Sequence, residues 1–186
     1  LTKIFPGRNK KSNEKVVAVN DFTFTIPDGK LVGLLGPSGC GKSTLGRTIV
    51  HLLEPTEGQI IFEGEDISKP DKKKVAQLRQ KMQFIFQDPY SSLNPRMNTM
   101  DIISEPLKIN GMRASKAKEE TRKIMEVVGL APRLEGVYPH ELDGGRRQRI
   151  GIARALALNP KFLICDEPVS ALDVSIQAQI LNLMQD

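Results

Sequence analysis

The run Gly36-Pro37-Ser38-Gly39-Cys40-Gly41-Lys42-Ser43-Thr44 fits the pattern G-x-x-x-x-G-K-[ST]. Glycines at this spacing let backbone N–H groups converge on phosphate oxygens. A helix that starts at the end of the run adds the partial positive charge of its N-terminus. Lys42 is expected to reach the β- and γ-phosphates of a nucleotide, and the Ser43 hydroxyl to coordinate Mg²⁺. The competing reading is a chance glycine-rich turn before a helix. The flanking segments weigh against it: the apolar run Leu31-Val32-Gly33-Leu34-Leu35 before it reads as a buried strand. After it, Leu45, Ile49, Leu52 and Leu53 share a helical face.

A second chemical signal lies far downstream. Phe162-Leu163-Ile164-Cys165 is an apolar strand candidate that ends in Asp166-Glu167. Ligands of open parallel sheets gather at the carboxyl ends of the strands. Asp166 is therefore expected beside the cation held by Ser43, and Glu167 is placed to polarise an attacking water. Alone, a strand ending in two solvated acids is an ordinary feature. Beside an upstream phosphate loop it is a hydrolytic constellation.

These residues need an α/β frame, and the chain has material for one. Its 186 residues suffice for a domain with a core, and 39% hydrophobic against 26% charged residues is the balance of a globular protein. No apolar stretch approaches a membrane span; the best, Ile150 to Leu158, is short and contains Arg154. No signal peptide is read. The first residue is Leu and the stretch 176–186 reads as an unfinished helix, so both ends look cut. Two cysteines suggest reduced thiols. A net charge of +5 favours anionic ligands only weakly, and solvated surface lysines explain it better than a nucleic-acid patch. In order, the pattern predicts a strand over 16–26 with Phe22, Phe24 and Ile26 on one face, the turn Pro27-Asp28-Gly29 and the strand–loop–helix of the phosphate site. A strand over 59–62, a helix over 71–81 and a strand over 83–86 that delivers Gln87 follow. Beyond these the period becomes helical: helices over 100–109, 115–128 with Gly129 as its stop, and 144–159, then the strand 161–165.

Taken together the motifs resemble, over almost the whole chain, the ATP-binding subunit of ABC transporters. Gly36 to Thr44 matches that family's Walker A loop, and Gln87 its Q-loop glutamine, which touches Mg²⁺ or water. Asp143-Gly144-Gly145-Arg146 stands where the signature belongs. Asp166 and Glu167 match Walker B and the catalytic glutamate, and Ser170-Ala171-Leu172-Asp173 the D-loop. Phe5 sits where the family places an aromatic on adenine; an aromatic near a strand start is as well explained by packing. The wording of Phe86-Gln87-Asp88-Pro89-Tyr90-Ser91-Ser92-Leu93-Asn94-Pro95 and of Glu167-Pro168-Val169-Ser170-Ala171-Leu172-Asp173-Val174-Ser175-Ile176-Gln177-Ala178-Gln179 resembles the oligopeptide and dipeptide import branch, which includes nickel importers.

The resemblance implies a P-loop NTPase core of the ABC type, an α/β fold with an antiparallel β subdomain and a helical insertion. It divides one nucleotide-binding domain, 1–186, into a β subdomain and Walker A core (1–94), a helical subdomain with the signature helix (95–158) and a Walker B and D-loop part (159–186). It implies ATP and Mg²⁺, with Glu167, Gln87 and Lys42 in catalysis and Ser43, Gln87 and Asp166 at the metal. Two subunits pair head to tail, each ATP lying between one Walker A loop and the other chain's signature. Permease subunits, an extracytoplasmic binding protein acting indirectly, and a peripheral place at the cytoplasmic face of a bacterial or archaeal membrane follow.

Two departures stand out. The family's switch histidine follows the D-loop, whereas His51 and His140 both precede Asp166, so residues 1–186 alone are expected to hydrolyse ATP poorly. The family's signature also begins Ser-Gly-Gly-Gln, and here Asp143 and Arg146 replace the Ser and the Gln. A heterodimer with one slow site is the expectation. The alternatives are a soluble ABC-type ATPase acting on nucleic acid or ribosomes, and a non-hydrolysing ATP-binding regulator, against which Glu167 argues.

Overall fold

The computed structural model describes residues 1–7 and 15–168. The chain forms two units, Leu1–Arg79 and Gln80–Asp186.

In the first unit, β1 (Lys3–Pro6) and β2 (Lys15–Val19) pair antiparallel. The helix α1 (Lys42–Ile49) packs on both. A two-residue turn, Glu63-Gly64 with φ of 51° and 79°, joins β3 (Ile61–Phe62) to β4 (Glu65–Asp66). Positive φ at both turn residues matches the right-handed twist of a hairpin. The helix α2 (Lys72–Lys81) starts where Asp71 accepts the Lys74 N–H, and buries Leu78.

Of two expected strands of this unit, the one over 16–26 forms only as β2, which ends at Val19, and the one over 31–35 does not form. Residues 22–26 and 31–35 join no ladder among the described residues. Leu31 and Leu35 are 88% and 94% exposed, so the apolar run before the phosphate loop is uncovered rather than buried. The reason is physical: hydrophobicity favours burial, but a strand exists only where a neighbour supplies N–H and C=O groups. The alternation at 22–26 leaves its mark in another way, as Phe22 and Phe24 pack edge to face at 5.0 Å.

The second unit carries the parallel element. The strands β5 (Met82–Ile85) and β6 (Phe162–Cys165) pair in parallel, with Ile85 opposite Cys165. A short helix the sequence did not indicate, α3 (Pro89–Ser92), comes first between them, and the three helices that the sequence placed there follow as α4 (Thr99–Ile109), α5 (Ala114–Val127) and α6 (Gly144–Leu156). Each of three starts on a capping side chain: Asp88, Asn98 and Asp143 accept the N–H groups of Tyr90, Asp101 and Arg146. The helix α5 ends at Gly129, φ 68°, where the Leu130 N–H reaches back to the Met125 carbonyl at 2.8 Å. That closing turn requires a left-handed residue, which glycine adopts without strain. Ile85, Leu93, Ile102, Ile103, Met125 and Ile150 belong to one buried cluster, with α6 packed on β5, α3, α4 and α5. One face of α5 and its C-terminal turn carries Ala117, Thr121, Met125 and Val128, which are buried, with Ile124 half-buried beside them.

Candidate functional site

The phosphate loop lies in the first unit. Gly41 has φ 98° and caps α1, its carbonyl accepting the Leu45 N–H at 2.8 Å. A Cβ at Gly41 would stand 2.1 Å from the Ala18 carbonyl oxygen, so only glycine lets the loop lie against β2. Lys42 folds its ammonium back into the loop and donates to the carbonyls of Gly36 and Pro37, both at 2.8 Å. The loop has thus gathered its own charge at the point where its backbone turns. Cys40 is exposed, with its Sγ 3.9 Å from the Lys42 Nζ. Ser43 and Thr44 follow in the first turn of α1, and Thr48 back-bonds to the Thr44 carbonyl at 2.7 Å. Phe5 lies on β1 opposite Val16, and the Lys3 ammonium stands 5.0 Å from its ring centroid. That ring is therefore able to meet a cation or a flat apolar group.

The carboxylates lie in the second unit. The Asp166 N–H continues the β5–β6 ladder by donating to the Ile85 carbonyl at 3.0 Å. Its residue is buried, 7% exposed. Glu167 then turns with φ 46°, and Gln87 Nε2 donates to Glu167 Oε2 at 2.8 Å. Gln87 and Glu167 both stand two residues beyond the last rung, so the parallel register brings together two side chains that lie 80 positions apart in sequence. Cys165, just inside the strand, is an apolar-packed thiol that burial pushes up to about 12. Gln87 and Asp166 offer amide and carboxylate oxygens in this unit, and Ser43 a hydroxyl in the first; each is a hard donor of the type Mg²⁺ takes. Among the described residues no group of three His, Cys, Asp or Glu side chains converges.

The helix α6 begins at the third group of site residues. Asp143 caps it and also pairs with Arg146. Gly144 and Gly145 are its first residues. A cavity beside this end is lined by Arg133, Arg146 and Arg149 against the single carboxylate of Asp143. Its field favours an anion. Ser170, Ala171, Leu172 and Asp173 lie outside the described residues.

Sequence reasoning missed the contacts that tie Gln87 to α6. Asp88 caps α3, and the N–H of Tyr90 holds its carboxyl below the ordinary carboxylate range, helped by Ser91. The Arg147 guanidinium lies 5.1 Å from the Tyr90 ring centroid. Arg154 Nη1 donates to the Ser92 carbonyl at 2.7 Å, and burial lowers the affinity of Arg154 for its proton. Arg147 and Arg154 are seven apart and so share a helix face, a spacing visible in the sequence. Their partners are not.

The family model described as "ABC transporter" matches residues 19–170. The chain is 53% identical over 174 residues to the oligopeptide transport ATP-binding protein OppF of Bacillus subtilis, covering 92% of this chain and 57% of that protein. It is 50% identical over 191 residues to the oligopeptide transport ATP-binding protein AppF of the same organism, covering 100% of this chain and 58% of that protein. It spans a little under three fifths of the length of these two curated relatives. Among solved structures it resembles the ATP-binding cassette MJ0796, in a dimeric post-hydrolysis state bound to ADP and Pi, with a TM-score of 0.88 and 30% identity, covering 98% of this chain and 78% of that one.

Proposed function

The chain belongs to the ABC transporter family, and from that premise we propose that it binds and hydrolyses ATP to power import of oligopeptides or dipeptides. Its fold is the α/β P-loop fold of ABC ATPases. The observation that carries the hydrolytic reading is the convergence of Gln87 and Glu167 beside Asp166 at the carboxyl end of one parallel strand pair. The peptide cargo is supported by the relatives, two of which are oligopeptide transport ATP-binding proteins. These relatives lend no support to an ATPase acting on nucleic acid or ribosomes.

Phosphoryl transfer to water needs positioning and charge neutralisation more than covalent chemistry. Lys42, released from the Gly36 and Pro37 carbonyls, would take the β- and γ-phosphates. Ser43, Gln87 and Asp166 would hold Mg²⁺, which supplies further neutralisation. Glu167 would orient and polarise the attacking water. Phe5 would cover the adenine. Asp143, Gly144, Gly145 and Arg146 would face the ATP of a second ATP-binding subunit, and Ser170 to Asp173 would line the same junction. The dimeric state of the matched cassette supports such pairing. The second subunit would be a different chain, because the two ends of this one are chemically unequal: a complete phosphate loop and an altered signature. Among the described residues no helix is long and apolar enough to cross a membrane. The transport role of the relatives supports membrane permeases as the path and this chain as a peripheral motor at the cytoplasmic face.

The test is reconstitution of the full-length chain with its partner subunit, permeases and binding protein in vesicles. ATP-dependent peptide uptake, abolished by Glu167→Gln, is the expected result. Uptake of nickel in place of peptide would overturn the cargo, and transport indifferent to Glu167→Gln would overturn the catalytic assignment.

A further inference from the structure

The cavity beside the start of α6 measures about 380 Å³, within the size range of small-molecule sites. Its charged lining is unbalanced: Arg133, Arg146 and Arg149 face one carboxylate, Asp143. Guanidinium groups stay charged at every accessible pH. The three rest on different supports. Arg149, in the second turn of α6, is anchored where Nη1 donates to the Val128 carbonyl at 2.6 Å, an acceptor left over at the end of α5. Residue 129 must be glycine for this approach, because a Cβ there would stand 2.7 Å from Nη1. Arg146 is held by Asp143. Arg133 sits in the turn Pro132–Leu134, which is tied to α5 by the two-pronged Arg122–Glu135 pair at 2.8 and 3.1 Å. Among the described residues the Arg133 side chain forms no ion pair.

We propose that this cavity is a binding site for a phosphate group, with Arg133, a residue outside every motif read from the sequence, as one of its three guanidiniums. The charge count selects the ligand. Three guanidiniums less one carboxylate leave two positive charges, and a phosphate group carries close to two negative ones at neutral pH. A carboxylate ligand would leave one of the two unmatched. The fork of a guanidinium also meets phosphate oxygens two at a time. Ala131 and Leu134 complete the wall and leave room for whatever carries the phosphate. Two sources share this chemistry: free inorganic phosphate, and the terminal phosphate of a nucleotide on a second subunit. The site goes beyond the reading of the chain as an ATPase and does not depend on it.

The probe is inorganic phosphate, titrated calorimetrically into the full-length chain carrying Lys42→Ala, which removes competition from the phosphate loop. Chloride holds the ionic strength constant, so that general screening does not pass for binding. Saturable binding of one phosphate is the expected result. Arg133 is exposed, so its replacement leaves the fold intact. Adding Arg133→Ala should weaken binding about tenfold, the low end for a hydrogen bond to a charged group, and Arg133→Lys should recover part of the loss. Equal affinity with and without Arg133→Ala, or no saturable binding above the chloride control, overturns the proposal. The assembled transporter, with Lys42 restored, separates the two sources. If the phosphate belongs to a nucleotide, Arg133→Ala raises KM for ATP at the partner's site, and free phosphate competes with ATP there. If it is free phosphate, added phosphate changes kcat without changing KM, and Arg133→Ala abolishes that response. A transporter that hydrolyses no ATP would sink the functional reading, and the titration would still decide the site.

Discussion

Asp143 and Arg146 hold each other twice at the start of α6. The Arg146 N–H donates to Asp143 Oδ1 at 2.8 Å, and Arg146 Nη1 lies 3.1 Å from Oδ2. An acid at the first signature position would repel a γ-phosphate by about 4 kcal/mol at 4 Å and an effective dielectric near 20, and by about 1 kcal/mol in water. The side chains are 55% and 49% exposed, which places the pair toward the weaker end. Both carboxylate oxygens are already engaged, so the guanidinium is the group left to meet an anion. Arg146→Ala should therefore slow turnover at the partner's ATP site in the full-length complex. Adding Asp143→Ser should recover part of the loss, because Ser keeps the helix cap and removes the charge. Site-resolved turnover checks this; an Arg146→Ala variant with unchanged turnover at that site rules it out.

Lys42→Ala removes the ammonium proposed to take the phosphates, together with the two hydrogen bonds it now makes to the loop carbonyls. Charge-assisted bonds contribute roughly 1.5–3 kcal/mol each, so ATP affinity or turnover should fall at least about tenfold. Glu167→Gln should separate the two quantities: nucleotide binding retained, hydrolysis nearly stopped. Equilibrium binding and steady-state turnover measured on both variants decide the matter, and turnover insensitive to Glu167→Gln would remove that residue from the chemistry.

The two thiols should differ sharply toward maleimide. Cys40 is exposed in the phosphate loop, whereas burial holds the Cys165 thiol protonated up to about 12. Labelling at neutral pH followed by mass spectrometry should find Cys40 modified first, and MgATP should slow it. Equal rates at the two positions would contradict this. The sign of the pH effect also follows. An unfolded Cys165 loses its proton near its ordinary value of 9.0 and the folded one only near about 12, so the folded state binds more protons in between. Its contribution to stability is complete below about pH 9 and declines as pH rises toward about 12.

Ile150 is fully buried in α6, within the cluster that also contains Ile85 and Leu93. Ile150→Ala should cost about 2–5 kcal/mol, through lost burial and the cavity left behind. Urea unfolding of the full-length chain measures it. A cost below about 1 kcal/mol would mean the site collapses around the smaller side chain.

Local features were legible in the sequence because their physics is local. The Gly129 stop and the Gly36–Thr44 loop need only the residues that compose them, and each forms where its spacing predicts; the Asp143 cap is equally local. The order of motifs was sufficient to indicate the family, and the strands that carry Gln87 and Asp166 were found at nearly their observed bounds. The run 31–35 failed for the opposite reason: its hydrophobicity announces burial, but no neighbouring ladder receives it among the described residues. The Gln87–Glu167 bond and the Arg154 grip on Ser92 join residues 80 and 62 positions apart. Neither pairing leaves a trace in spacing or composition. Only the parallel register of β5 and β6, and the packing of α3 on α6, bring those atoms within hydrogen-bonding reach.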